Sequence, residues 1–431
     1  MPAKKTGRSS VSPEAEAQIQ KQRLVLFKRM LEQPDDLDSA FEYATLSAQV
    51  GDLEAAISTL ERMLIFAPGL PRLQLELGLL YYRLQAFKTA EIYFNSAISG
   101  DDVPPEVREK VEQFLSGIEQ ANQTVTYSGQ MRAGIRYQTN ANRGPNGEII
   151  ILNGLPFELD ALSQSNSDGN VYTSGQFHIS RKLPQQGTTF EIDLVYYASK
   201  QFELDEFDLA QAEVTFGPAF DLDRFGYDNA QIGIYGIVSG AFLHEDYYAT
   251  FVGAGTQLLT PAGRNASLNT KLEYRYKEFY DSPTVPTASL RTGNELRAST
   301  VYQKIINPMR TINLSAGAVR SWSRADYLSY YEVAAQAGTS VAFMSPINGE
   351  QKWILSTSAG IVYREYDSPD PLVDLSNTQV DTEYVAQGSL NIPIKNGISL
   401  LAEADYRYVD SNYTTRKHNN FGTTLSIVKL W

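Results

Sequence analysis

Residues 419–431 read NNFGTTLSIVKLW, an alternating stretch that finishes on a large aromatic ring. Taken two at a time, Phe421, Leu425, Ile427 and Trp431 fall on one side, and Gly422, Thr424 and Ser426 on the other. That is the period of a β-strand. A sheet in water gains nothing by ending on an exposed tryptophan, so the apolar side of this strand needs something to face.

The same period of two extends back to Thr124. In TVTYSGQMRAGIRYQ, Val125, Tyr127, Met131, Ala133, Ile135 and Tyr137 share one face, opposite Ser128, Gln130, Arg132 and Arg136. About fourteen such segments, each long enough to cross a bilayer at a tilt, are expected. They begin near Thr124, Val171, Thr189, Phe207, Ala230, Tyr247, Ala266, Glu295, Thr311, Tyr330, Lys352, Glu383, Ile398 and Phe421, with those near Ala230, Tyr247 and Thr311 alternating least cleanly. The connections alternate as well. Short polar turns (PQQGT, TPAGRN, NPMRT, INGEQ, KNG) follow the even segments and longer loops the odd ones.

Residues 13–123 carry a helical period instead. The segment at 36–68, DLDSAFEYATLSAQVGDLEAAISTLERMLIFAP, returns at an offset of 34 as PRLQLELGLLYYRLQAFKTAEIYFNSAISG from Pro71. At that offset Ala44 matches Gly78, Ser47 matches Tyr81, Ala56 matches Ala90, Leu60 matches Phe94 and Met63 matches Ala97. Leu77, Gly78, Tyr81, Ala90, Phe94 and Ala97 resemble the small and large positions of the tetratricopeptide pattern, and Pro68 stands where that pattern breaks its second helix. Small residues let paired helices approach, and the aromatic ones fill the space between repeats. The flanking segments PEAEAQIQKQRLVLFKRMLEQ and PPEVREKVEQFLSGIEQ read as capping helices, with Pro104 and Pro105 suited to a helix start. Residues 1–12 read as disordered.

Composition narrows the function. The 431-residue chain has a net charge of −13, which argues against a nucleic-acid partner. It has no cysteine, so disulfides and thiolate metal sites are excluded, a composition that fits an oxidising periplasm. No apolar run approaches the length of a membrane helix, which leaves strands as the only means of crossing a bilayer. The opening MPAKKTGRSSVSPEAEAQ lacks the apolar stretch of a secretory signal. Alone it points to the cytoplasm, and export would require a leader upstream of it. The only histidines are His178, His244 and His418, none in a nucleophile motif, and no phosphate loop, zinc-helix motif or dinucleotide fingerprint occurs. Neither an enzyme nor a cofactor is expected.

A water-soluble β-sandwich or propeller behind a helical domain is the competing fold. Three features favour a membrane barrel. Charges stand at mid-strand on the polar faces: Arg132, Glu191, Asp193, Lys271, Glu273, Arg275, Glu403, Asp405 and Arg407. Tyr137, Tyr276, Tyr363 and Tyr408 stand near strand ends on the apolar faces, as interfacial rings do. Finally, Asn420, Gly422, Leu425 and Ile427, with the terminal Trp431, resemble the assembly signal of bacterial outer-membrane barrels. Lys429 shares the Trp431 face and can reach the interface by snorkelling. An even strand count returns both barrel termini to one side, with the helices in the periplasm beneath the opening. The fold expected is α+β: tetratricopeptide helices over 13–123, then an antiparallel transmembrane barrel of about fourteen strands over 124–431.

The architecture is similar to the surface lipoprotein assembly modifier family, translocators with periplasmic tetratricopeptide repeats ahead of a barrel. The likeness lies in GDLEAAISTLERMLIFAPGLPRLQLELGLLYYRL, PPEVREKVEQFL and GQMRAGIRYQTNAN. It also extends to exopolysaccharide export porins with repeat scaffolds. The first resemblance implies a helical groove that gathers an exported protein or lipoprotein client and passes it to the barrel, with outer-membrane lipids and the barrel-assembly machinery as further partners. Gln74, Glu76 and Tyr82 are candidate groove residues, Tyr82 equally a packing residue. A polysaccharide or solute export porin and a structural anchor are the alternatives. Inward charges of both signs suit a plugged, self-paired or unselective lumen. Arg132, Arg136, His178 and Lys182 form a candidate basic lumen patch, or else ion pairs with Glu191 and Asp193. The apolar loop segment EIIILNGLPFELDAL is either an inward constriction or a surface hairpin.

Overall fold

The structure is a computed structural model that describes residues 13–67, 70–99, 103–161, 163–185, 187–347, 349 and 351–431. The expectations for residues 1–12 and for Pro68 fall outside the described residues. The chain divides into two compact units, Met1–Gln123 and Thr124–Trp431.

The first unit is helical: α1 (Pro13–Glu32), α2 (Leu37–Gln49), α3 (Leu53–Phe66), α4 (Pro71–Arg83), α5 (Phe87–Ala97) and α6 (Pro105–Asn122). The starts of α2 and α4 (37 and 71), and of α3 and α5 (53 and 87), lie 34 residues apart. The start of α6 at 105 is another 34 beyond α4, so the flanking helix falls in phase with the repeat. The first copy starts its helices with side-chain caps, Asp36 accepting from the Ser39 amide and Asp52 from that of Ala55. In the second copy Pro71 opens α4 without such a cap. Ala44, Ala56, Leu60 and Met63 are buried in one core, while Ala90 and Phe94 are buried with Val111 and Ile118 of α6 in a second. A Cβ on Gly78 would stand 2.6 Å from the Phe94 ring, so only glycine lets α5 approach α4 this closely.

The second unit contains β1 (Val125–Gln138), the short β2 (Ile149–Leu152) and β3 (Leu155–Glu158), β4 (Asp168–Lys182), β5 (Thr188–Gln201), β6 (Leu209–Asp221), β7 (Gln231–Leu243) and β8 (Asp246–Pro261). It continues with β9 (Ala266–Phe279), β10 (Gly293–Asn307), β11 (Arg310–Ser323), β12 (Tyr330–Met344), β13 (Lys352–Tyr366), β14 (Val380–Lys395), β15 (Ile398–Ser411) and β16 (His418–Leu430). All but β2 and β3 form one closed barrel of fourteen antiparallel strands, sealed where β1 meets β16 from Gln130↔Leu430 to Gln138↔Gly422. Closure satisfies every strand edge, the requirement for a sheet without water around it. Every expected strand start lies within three residues of an observed one.

Alternation sends Leu272, Leu314, Ile361, Leu425 and Ile427 to the outside of the cylinder, where they are exposed. The expected interfacial tyrosines also face outward, and Tyr408 stacks on Tyr384. Trp431 lies 5.5 Å from the Phe177 ring, and its backbone exchanges hydrogen bonds with Gly129.

One hairpin corrects the loop rule. The β7–β8 connection is the two-residue 244–245, on the rim of long loops, while β6–β7 spans nine residues (222–230) on the opposite rim. The poor alternation of these strands has a physical cause: Ile237, Ala241 and Ala249 are apolar and buried on the inward face.

The EIIILNGLPFELDAL segment forms the β2–β3 hairpin, turning on Asn153 (φ 51°) and Gly154 (φ 80°). The Asn153 amide donates to Val373 O at 2.7 Å and the Ile151 amide to Thr414 Oγ1 at 2.8 Å. It is therefore a rim hairpin seated on the loops 367–379 and 412–417.

Candidate functional site: the barrel lumen

Inward positions carry the charges, and closure of the cylinder pairs them. Arg136 Nη2 donates to both oxygens of Asp405 at 3.0 Å, and Arg132 lies 3.7 Å from Glu403. These pairs join β1 to β15 across the intervening β16. A Cβ on Gly422 would lie 2.7 Å from Asp405 Oδ1, so Gly422 leaves the path for the Arg136–Asp405 bridge open. The glycine of the assembly-like signal thus has a local structural role.

A second network crosses from β6 to β9. The Arg275 guanidinium donates to Glu213 at 2.6 and 3.1 Å and to Glu273 at 2.8 and 3.2 Å. Tyr235 donates its hydroxyl to Glu273 at 2.9 Å, and Lys271 lies over the Tyr235 ring. Gly255 on β8 has no side chain to obstruct that ring, its virtual Cβ meeting it at 2.7 Å.

Of the four residues expected as a basic patch, His178 hydrogen-bonds Asp193 at 2.8 Å, while Arg132 and Arg136 take partners on β15. Lys182 ends β4 on the short-turn rim, and Glu191 accepts from Thr189. The four do not converge on one patch. The register also aligns Ser128, His178 and Asp193 across β1, β4 and β5. Among the described residues no hydrogen bond joins Ser128 to His178, so the row is a paired dyad beside a hydroxyl and not an assembled nucleophile site.

Several lumen pairs were missed from sequence, although Arg407 itself was expected as an inward charge. Lys277 pairs with Glu295 at 2.8 Å, Arg297 with the same carboxylate, Arg364 with Glu332 and Arg407 with Glu383 at 3.1 Å. Their alternation at strand ends was the available signal. Of these, Lys277, Arg364, Arg407 and Glu383, together with Arg143, Arg291 and Arg416 from the loops, line a cavity of about 370 Å³ towards the long-loop rim. A second cavity of about 430 Å³ lies against Arg132, Arg136, Glu403, Asp405 and the stacked Tyr172–Tyr197 pair.

In the helical unit Tyr82 packs edge-on against Phe87 and Phe114, and Tyr81 stacks on Tyr93 while donating to Glu61 at 2.6 Å. The Tyr81 phenol is pushed up to about 12, first by the hydrogen bond to Glu61 and then by burial. Among the described residues no cluster of metal-ligating side chains occurs.

No family model and no curated protein matches the sequence. Solved structures do. The chain is similar to a bacterial polysaccharide outer membrane secretin at 10% identity and TM-score 0.38, covering 70% of this chain and 98% of that one. It is similar to a Pseudomonas aeruginosa FadL homologue at 12% identity and TM-score 0.38, covering 71% and 90%. It also matches the Yersinia enterocolitica type III secretion chaperone SycD, solved with a peptide of the translocator YopD, at 14% identity and TM-score 0.23, covering 26% and 86%.

Proposed function

We propose that the chain is an outer-membrane transport barrel whose helical repeats recruit an exported protein or lipoprotein client in the periplasm. The observation that carries this reading is the sorting of side chains by the closed cylinder: Leu272, Leu314, Ile361 and Ile427 outward, and Arg132, Glu213, Arg275 and Glu403 inward. In water such an apolar belt would far exceed the few hundred Å² that soluble proteins leave exposed. In a bilayer it is the expected lipid face.

The repeat phase supports recruitment, because stacked helix pairs offer a continuous groove for an extended client. Chain continuity adds a side: α6 leads into β1 at the short-turn rim, the periplasmic rim of outer-membrane barrels. The reading assigns no catalytic role. Export of a polysaccharide or solute through the lumen is a second reading, favoured by the two polar lumenal cavities.

Planar-bilayer recordings and surface display of candidate clients in a deletion strain separate the two. Client display that is lost on deletion, from a barrel without open-channel conductance, is the expected result. Steady conductance with normal client display would establish the second reading instead.

A further inference from the structure

The cavity near the long-loop rim has more cationic side chains than its own carboxylates neutralise. Lys277, Arg364 and Arg407 have acidic partners in Glu295, Glu332 and Glu383. Among the described residues Arg143 and Arg416 have none, and Arg291 is hydrogen-bonded to the Tyr248 hydroxyl at 2.9 Å with no acidic partner. Against these three stands Asp381, one of whose oxygens receives the Gln379 amide while the other is buried without a partner. The lining therefore carries an excess of about two positive charges, with Arg143, Arg291 and Arg416 each keeping part of its surface open to the cavity mouth.

The position of Arg143 is built. It adopts φ 54° in the turn that follows β1. The buried Asn140 side chain both donates to Gly144 O at 2.8 Å and accepts from the Gly144 amide at 2.9 Å, bracketing the arginine. Asn140 is tied to the barrel by its own amide, which donates to Asn420 Oδ1 at 3.0 Å, and by a bond from its Nδ2 to Asn419 O at 3.1 Å. Asn142 fixes the other side through Gln164 O at 2.6 Å and the Asn166 amide at 3.0 Å. This frame holds a guanidinium where burial first, and then the like charges of Arg407, Arg136 and Arg364, lower its pKa against the opposing pull of the Glu383 carboxylate. Gathering more cations than carboxylates is costly, and an anion that joins them relieves that cost.

A separate observation comes from a buried histidine. His418, 9% exposed, lines the same cavity, and its Nε2 is buried with no hydrogen-bond partner. Its Nδ1–H donates to the Arg416 carbonyl oxygen at 2.8 Å, which leaves Nε2 as an acceptor for a solute hydroxyl.

We propose that this cavity binds a small hydroxyl-bearing solute with an oxyanion, phosphate or carboxylate, the oxyanion held by Arg143 and Arg416 with Arg291, Arg364 and Arg407 around it, and a solute hydroxyl donating to His418 Nε2. Planar guanidinium groups suit both oxyanions, and about 370 Å³ accommodates a solute of monosaccharide size. The site depends on the closed barrel alone, so it stands or falls separately from what the protein transports.

The test is calorimetric titration of the purified full chain in detergent at low ionic strength, with inorganic phosphate and gluconate as probes and glucose as the neutral control. Phosphate or gluconate binds and glucose does not. Arg143→Gln, a loop substitution, weakens binding about tenfold or more, the loss expected for a charge-assisted contact. Arg416→Gln weakens it in the same direction, and Lys182→Gln at the opposite rim leaves it unchanged. Unaltered binding in both arginine variants of native electrophoretic mobility overturns the proposal, as does a wild-type chain that takes up neither oxyanion at millimolar concentrations.

Discussion

Replacing Leu272 with arginine probes what surrounds the barrel. Leu272 lies near the middle of Ala266–Phe279, faces outward and is 50% exposed. Its cross-strand neighbours are Ala298 and Thr256, and the next outward residues on its own strand are Thr270 and Tyr274, so no carboxylate is at hand to pair with a new cation. At the midplane of a bilayer such an arginine costs about 2–4 kcal/mol, roughly thirty- to nine-hundred-fold in the folding equilibrium. On a water-exposed surface the same change stays within about 0.5 kcal/mol. Tyr276→Arg, near the end of the same face, costs at most about 1 kcal/mol and serves as the internal control. Urea titrations of refolding into lipid vesicles, read by electrophoretic mobility and tryptophan emission, give both values. If the Leu272 and Tyr276 variants fall within about 0.5 kcal/mol of each other, lipid does not contact this face and the reasoning fails.

Three further outcomes follow from particular contacts. Arg275→Met strands Glu213 and Glu273 together in the wall and lowers barrel stability by about 3–5 kcal/mol, whereas Lys200→Met, which breaks an exposed pair with Asp208, costs under about 1 kcal/mol in the same titration. Gly78→Leu drives a side chain into Phe94 and lowers the stability of the helical unit, followed at 222 nm, by about 1–3 kcal/mol or more, with Phe94→Ala in the same chain restoring part of the loss. The phenol of Tyr81, raised from 10.0 to about 12, favours the folded state fully below the unfolded value and loses that contribution as pH climbs through the folded one. Helical stability therefore declines between pH 10 and 12, and Tyr81→Phe makes that decline shallower.

The strand plan was legible because a closed barrel repeats one local rule fourteen times. Each strand shows its two faces in its own sequence, as Leu400, Ala402 and Tyr406 against Glu403 and Asp405 illustrate. The repeat offset was legible for the same reason, although α6 was read only as a cap because its apolar residues Val111 and Ile118 keep the spacing without the tetratricopeptide residue types. What stayed hidden arises from closure and from loops. Arg136 and Asp405 are 269 positions apart and meet only when β1 joins β16, and no local pattern announces that meeting. Arg275 reaches Glu213 across two strands because β8 offers glycine there, a fact about register and not about composition. Arg143 sits in a loop whose shape depends on asparagines bonding to distant backbone, so its place over the cavity could not be read from spacing.

The absence of native cysteine makes the most direct test simple. Single cysteines at Leu355, Ser356, Thr357, Ser358, Ala359 and Ile361 of β13 avoid the ion pairs and sample both faces of one strand. In isolated outer membranes, a charged, membrane-impermeant maleimide is expected to modify the cysteines at 356 and 358, while those at 355, 357, 359 and 361 respond only to a lipid-soluble reagent. Equal modification of both sets by the charged reagent, or the reverse order, would contradict a barrel that keeps its apolar face in lipid.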